Sequence, residues 1–148
     1  MFGRIVVGTD GSDTAADAVR QAAELARMSG ARLDIVSAFS PVPQQRIRGE
    51  AFEAPGDVQY EISPREDVNL ILDNAAGTAK QAGVEEVQTH AAEGDPAEAI
   101  LDVAEEIKAD LIVVGNKGMT GARRFLLGSV PNQISHHAPC DVWIVKTT

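Results

Sequence analysis

The sequence predicts an α/β fold in which a mostly parallel sheet is covered by helices. Segments rich in β-branched residues alternate with segments whose apolar residues recur at helical spacing. Such alternation is typical of strand–helix–strand units with right-handed crossovers. The runs RIVVGT at 4–9 and DLIVVG at 110–115 are apolar on both faces, as central parallel strands are. The length of 148 residues favours one domain, which we assign to 1–148.

The first half of the chain predicts two strands joined by a helix. After the first strand, apolar residues at helical spacing predict a helix over 15–28. Ser12 can cap its N-terminus, and Gly30 is placed to end it. The run RLDIVSAF predicts a second strand over 32–39, which two prolines then end. The stretch 41–62 shows no clear period, and a loop of this length is usually functional or mobile.

In the second half, two helices begin with the same signal, a polar cap followed by proline. The sequences are SPRE at 63–66 and DPAE at 95–98, and proline fits the first helical position. The weakly alternating run EVQTHA at 86–91 predicts a strand nearer the sheet edge. A short helix over 129–137 and a last strand, DVWIVK, over 141–146 complete the pattern.

Composition restricts the partners and the compartment. The net charge of -9 argues against sequence-independent binding to nucleic acid or to an anionic membrane, because each needs a basic face. The single cysteine, Cys140, cannot form an intrachain disulfide, which favours a reducing compartment. We see no apolar run long enough for a signal peptide or a membrane span, and therefore expect a cytoplasmic location.

The loop GNKGMTGARRFLLGS at 115–129 predicts an anion site. It is not a P-loop, because lysine does not directly follow its second glycine. Gly115 and Gly118 would let backbone N–H groups approach a ligand, and Gly128 with Ser129 opens a helix whose first N–H groups are free. The basic residues of the loop are interpreted as solvated charges, one of which can still neutralise a phosphate. Spacing alone leaves open a plain strand-to-helix connection whose glycines serve turns.

The turn GTDG at 8–11 is the second candidate segment. Ligands of open parallel sheets bind past the carboxyl ends of the strands, where the strand order reverses. If the first and fourth strands are neighbours, this turn and the glycine loop line one crevice. Asp10 is open to two interpretations: a turn residue or helix cap, and a contact to ribose or metal.

The remaining candidates for metal or catalytic chemistry favour structural roles. His136 and His137 are adjacent, so they point about 100° apart on a helix and are interpreted as favourable charges at its C-terminus. His90 is interpreted as a sheet-edge residue and Cys140 as a packed one. We find no Ser-His-Asp order, nucleophile elbow or recognisable carboxylate pair, and therefore predict no catalytic residue and no metal site.

Two motifs make the whole chain resemble the universal stress proteins. The spacing Gly115-x2-Gly118-x9-Gly128-Ser129, between LIVVG and HAPCDVWIVK, is similar to their nucleotide motif, and IVVGTDGSDTAADAV is similar to their opening. The resemblance implies a flavodoxin- or Rossmann-like open sheet of five parallel strands in the order 3-2-1-4-5, with helices on both faces. The nucleotide-binding residues that it implies are Gly8, Thr9, Asp10, Ala38, Gly115, Asn116, Lys117, Gly118, Gly128, Ser129 and Val130.

The same resemblance implies a role for each part of this set. The turn residues Gly8, Thr9 and Asp10 would line the ribose and metal side. Ala38 would meet adenine through its backbone. The phosphate-holding residues would be Gly115, Gly118, Gly128, Ser129 and Val130.

Departures from the family pattern bear on the ligand. Position 116 is Asn where many members have Ser or Thr. Pro131 stands where ATP-binding members often have Ser or Thr against the terminal phosphates, and it offers neither N–H nor hydroxyl. In VVGTDGS, GSVPNQIS and DVWIVKTT the chain is similar to an actinobacterial branch that binds cyclic AMP (cAMP). We therefore expect cAMP to bind, ATP to bind more weakly, and Mg²⁺ to be needed only with ATP.

Two alternatives to this function stay open at the level of sequence. The first is an ATP-binding protein with slow hydrolysis or phosphotransfer, which Pro131 makes less favourable. The second is a family member that binds no nucleotide and acts through protein contacts, against which the intact glycine spacing argues.

The last strand predicts an interface. Its four central residues are apolar without alternation, although the resemblance puts this strand at the sheet edge, where an uncovered apolar strand is a liability. The resemblance implies a homodimer in which the last strands pair, through Val142, Trp143, Ile144 and Val145. The alternative is that Trp143 packs under a helix of its own chain.

Overall fold

Strands and helices alternate through the computed structural model, which describes residues 2–39, 64–116 and 129–147. The elements in chain order are β1 (Arg4–Gly8), α1 (Asp13–Ser29), β2 (Arg32–Phe39), α2 (Pro64–Gln81), β3 (Val87–Glu93), α3 (Pro96–Ile107), β4 (Leu111–Gly115), α4 (Ser129–His137) and β5 (Asp141–Val145). The described strands form a five-stranded, wholly parallel sheet in the order β3-β2-β1-β4-β5. The predicted fold class and strand order are therefore confirmed.

The sheet has a hydrophobic core on each face. Because side chains alternate along a strand, Ile5 and Val7 of β1 pack toward α1 and α2, while Val6 packs toward α3 and α4. All three side chains are fully buried. The interpretation of 4–9 as a central strand that is apolar on both faces is confirmed.

The helix ends are where the capping residues placed them. The Ser12 hydroxyl accepts a hydrogen bond from the Ala15 N–H at 3.2 Å, and Gly30 ends α1 in the left-handed conformation with φ 69°. The Asp95 carboxylate accepts from the Glu98 N–H at 3.0 Å and opens α3. None of the described helices is long and apolar enough to cross a membrane.

The edge strand β3 runs two residues further than its sequence pattern predicts. Its ladder with β2 continues to the pair Phe39 and Glu93, because the eight-residue β2 supplies backbone partners beyond the apolar run. Every residue of β3 is exposed or half-buried, as expected of an edge strand. The predicted loop over 41–62, and Ser63 of the first proline-capped helix start, lie outside the described residues.

Candidate functional site

A narrow crevice opens at the carboxyl ends of β1 and β4. Its position is the point where the strand order reverses, since β2 and β3 extend the sheet to one side of β1 while β4 and β5 extend it to the other. It encloses about 10 Å³, which holds about one water molecule, so a larger ligand group would lie at its mouth. The residues that line it are Gly8, Thr14, Ala15, Val114, Gly115, Val130 and Thr147.

Two helices point their N-termini at this crevice. Thr14 and Ala15 belong to the first turn of α1, and Val130 belongs to the first turn of α4. The first N–H groups of a helix have no partner within the helix, and the helix dipole is positive at that end. In α1 the Ala15 N–H already donates to the Ser12 hydroxyl, so this helix contributes its dipole and its other first-turn N–H groups. The crevice is therefore suited to an anion, although the chain as a whole is acidic.

The turn after β1 uses its polar side chains to fix its own shape. Thr9 is buried, and its Oγ1 accepts from the Gly11 N–H at 3.1 Å. Asp10 accepts from the Ser12 N–H through Oδ1 at 2.9 Å, as a turn residue does. The second carboxylate oxygen of Asp10 has no hydrogen-bond partner within the described part of the chain. The turn role of Asp10 is thus visible, and one oxygen stays available for a ligand.

The C-terminal segment reaches back to the end of β4. The Asn116 N–H donates to the Val145 carbonyl at 2.8 Å. Its side-chain Oδ1 accepts from the Thr147 N–H at 2.9 Å and from the Thr147 hydroxyl at 3.0 Å. Thr147 also packs on Gly115, where an added Cβ would meet its Cγ2 at 3.6 Å. Sequence reasoning missed Thr147, because nothing local marks a polar residue after the last strand as part of a site.

The structure brings three of the predicted site residues together at the crevice: Gly8, Gly115 and Val130. Ser129 is exposed at the start of α4, and Ala38 is half-buried near the end of β2. The structure adds Thr14, Ala15, Val114 and Thr147 to the lining. The predicted site residues Lys117, Gly118 and Gly128 lie outside the described residues.

Comparison with known proteins places this architecture in a family. The model of the universal stress protein family matches residues 1–146. The chain belongs to the universal stress protein family. Its sequence is 40% identical over 144 residues to a universal stress protein of Mycobacterium tuberculosis, covering 97% of this chain and 96% of that protein. The resemblance stated from the motifs is thereby confirmed.

Two solved structures of universal stress proteins are similar over almost the full length. One is a universal stress protein in complex with cAMP, with a TM-score of 0.73, 35% identity, and coverage of 99% of this chain and 98% of that one. The other is the universal stress protein of Archaeoglobus fulgidus in complex with dAMP, with a TM-score of 0.68, 27% identity, and coverage of 97% and 98%. Each of these two ligands carries a single phosphate.

This universal stress protein also holds a buried ionic cluster in the middle of β2. The Asp34 side chain is fully buried, and its carboxylate accepts from Arg32 Nε at 2.7 Å and Nη2 at 2.9 Å, and from His90 Nε2 at 2.7 Å. Burial opposes ionisation of Asp34, but the hydrogen bonds from His90 and Arg32 outweigh it and lower the pKa of the carboxyl. His90 lies on the edge strand as expected, whereas its bond to Asp34 was not foreseen.

The residues considered for metal binding take structural positions in this universal stress protein. His136 and His137 are the last residues of α4. Cys140 is half-buried against the α3 and α4 core, and burial, followed by the charges of Asp141 and Asp110, raises the pKa of its thiol. Within residues 2–39, 64–116 and 129–147, no group of three or more His, Cys, Asp or Glu side chains is placed to hold a metal ion.

Proposed function

We propose that this universal stress protein binds an adenine nucleotide, with cAMP preferred over ATP, and that it acts as a sensor or sink for that nucleotide. The observation that carries the proposal is the crevice between β1 and β4, onto which two helix N-termini and two glycines converge. It is supported by the similar universal stress proteins that were solved with cAMP and with dAMP.

In this proposal the phosphate lies at the mouth of the crevice. The absence of a Cβ at Gly8 and Gly115 lets ligand oxygens come close to the backbone. The N–H groups of the first turn of α4 and the hydroxyl of Ser129 supply donors, together with Asn116 and the predicted loop residues Lys117, Gly118 and Gly128. The nucleoside would lie against Gly8, Thr9, Asp10 and Ala38, past the ends of β1 and β2.

The preference for one phosphate rests on Pro131. This residue is buried within the first turn of α4, two positions after Ser129. Proline has no N–H, so the helix offers one donor fewer at the end that would face a ligand. The loss affects a long triphosphate more than a single cyclic phosphate, which the preceding donors can satisfy.

Calorimetric titration of the full chain with cAMP and with Mg-ATP tests this proposal. We expect cAMP to bind more tightly, and Ser129→Ala to weaken cAMP binding by about 3- to 10-fold through loss of one hydrogen bond. Glu85→Gln, at the opposite end of the sheet, serves as the control. Tighter binding of Mg-ATP would overturn the preference, and phosphate release from Mg-ATP would favour the hydrolase alternative.

We also propose that the protein is a homodimer in which the β5 strands of the two copies meet. Among the described strands β5 pairs only with β4, so its other backbone edge is unpaired. Val142, Trp143 and Ile144 are each half-buried. Trp143 packs against the α1 and α2 core of its own chain, as the alternative interpretation required, yet it keeps surface for a partner. The cytoplasmic location stays a prediction from the sequence.

A further inference from the structure

We propose that Thr147 is a positioning residue of the ligand site, which holds the Asn116 carboxamide so that its NH₂ group is the part left to donate to a bound phosphate. The inference rests on the proposed nucleotide function and assigns a role to the C-terminal segment within it. It starts from the pair of hydrogen bonds that join Thr147 to Asn116, residues 31 positions apart.

The chemistry of these two bonds fixes the orientation of the amide. The Thr147 N–H lies 2.9 Å from the side-chain atom of Asn116 and the Thr147 hydroxyl lies 3.0 Å from the same atom. A backbone N–H can only donate, so the atom that it meets must be the acceptor Oδ1. The assignment of oxygen and nitrogen in this amide therefore follows from its partner.

With Oδ1 occupied, the side-chain carboxamide of Asn116 offers only donors to anything else. Its Nδ2 has no hydrogen-bond partner among the described residues. Asn116 is half-buried and directly follows Gly115, which lines the crevice. An amide that is held in this way presents two N–H groups and no lone pair, which is the arrangement that a phosphate oxygen requires.

Thr147 itself acts through Asn116 rather than as a phosphate donor. Its hydroxyl has a single proton, which is donated to Asn116, so toward a ligand the oxygen can only accept. Thr147 nevertheless forms one wall of the crevice and packs on Gly115. If the segment were released, the amide could rotate and place Oδ1 against the phosphate, where two acceptors repel.

The test compares cAMP with adenosine, which lacks the phosphate, by calorimetry on variants of the full chain. Thr147→Pro removes both the N–H and the hydroxyl donor, and we expect it to weaken cAMP binding by about 3- to 10-fold while adenosine binding changes less than about 2-fold. Thr147→Val removes only the hydroxyl, so its cAMP affinity should lie between those of the unsubstituted chain and Thr147→Pro. Thr147→Ser restores both donors and should recover the affinity that Thr147→Val loses.

A substitution at Asn116 tests the NH₂ donor separately from the hydrogen bonds to Thr147. Asn116→Asp keeps an acceptor for Thr147 but replaces the NH₂ group by a carboxylate oxygen. We expect it to weaken cAMP binding by about 10-fold or more, again with little effect on adenosine. In ¹⁵N spectra the Asn116 side-chain amide signals, identified by their loss in Asn116→Asp, should move when cAMP is added to the unsubstituted chain and should move less in Thr147→Pro.

The outcomes distinguish the role inferred for Thr147 from the proposed nucleotide-binding function. Equal losses of cAMP and adenosine affinity in Thr147→Pro would show that Thr147 has a general structural role and would overturn the inference. Unchanged cAMP affinity in both Thr147→Pro and Asn116→Asp would also overturn it. Either result leaves the proposed nucleotide function in place. Failure of the unsubstituted chain to bind cAMP, AMP or ATP would overturn the proposed function and the inference together.

Discussion

At the scale of single residues, Asp34 places a carboxylate among the mostly apolar buried residues of the sheet. Its two partners are partly exposed, with 29% of the Arg32 side chain and 26% of the His90 side chain accessible. Water therefore screens the partners, and the net contribution to stability lies below that of a fully buried ion pair. The hydrogen bond from His90 still links the edge strand β3 to β2, whereas the two bonds from Arg32 lie within β2.

We expect Asp34→Asn to lower the free energy of unfolding at pH 7 by about 1–3 kcal/mol. Because the folded-state pKa of Asp34 is lowered, its stabilising effect is fully present above the unfolded-state pKa of about 3.9 and is lost as the pH falls through the folded-state value. Urea unfolding from pH 7 to pH 3 and below should therefore show the free energies of unfolding of Asp34→Asn and the unsubstituted chain converging.

The control for this prediction is Asp73→Asn, an exposed carboxylate on α2, which we expect to change stability by less than about 0.5 kcal/mol at either pH. A difference between Asp34→Asn and the unsubstituted chain that stays constant down to the lowest pH would show that ionisation of Asp34 contributes nothing to folding.

At the scale of elements, local sequence signals determine where the helices begin. A close contact between the turn before α1 and the helix α2 limits how these two elements pack. Gly11, just before α1, has φ 84°, and an added Cβ would lie 2.8 Å from Ile71 Cγ1 of α2. The close approach thus depends on the absence of a side chain at this position. The two proline-containing helix starts could be predicted from the sequence, because a cap and its proline are neighbours along the chain. The contact between Gly11 and Ile71 could not, because it joins residues 60 positions apart.

Two glycine substitutions are expected to have opposite effects on stability. Gly11→Ala should lower the free energy of unfolding by about 1–3 kcal/mol, through the strained left-handed backbone and the clash with Ile71. Gly77→Ala, within α2 and with no atom within 4 Å of an added Cβ, should raise it by about 0.5–1 kcal/mol. Urea denaturation measures both. A neutral Gly11→Ala would mean that Ile71 and the turn adapt at no cost.

At the scale of the whole molecule, the two edges of the sheet differ in character. The outer strand β3 carries four polar residues among seven and has no buried residue, whereas β5 is apolar from Val142 to Val145. Native proteins usually protect an apolar edge strand with charge, a bulge or a partner. The asymmetry favours β5 over β3 as the edge at which two copies meet.

Sedimentation at micromolar concentration tests the dimer. We expect about twice the chain mass of 15.6 kDa for the unsubstituted protein, and a shift to the monomer for Ile144→Lys, because a charge would be buried in the interface. Thr89→Lys, an exposed position on β3, is the matched control and should remain dimeric. Circular dichroism verifies that both variants fold. A monomeric unsubstituted chain would contradict the proposal.

The sequence by itself determined the order of the elements, their caps, the parallel sheet and the family, because these depend on spacing between residues that are close along the chain. It also placed Gly8 and Gly115 in one site, since the carboxyl ends of neighbouring parallel strands meet, and the family resemblance added Val130 to that site. Only the tertiary structure decided that Thr147 lies on Asn116 and that His90 meets Asp34. Both contacts join distant segments whose distance is set by strand order and register, which no local pattern records.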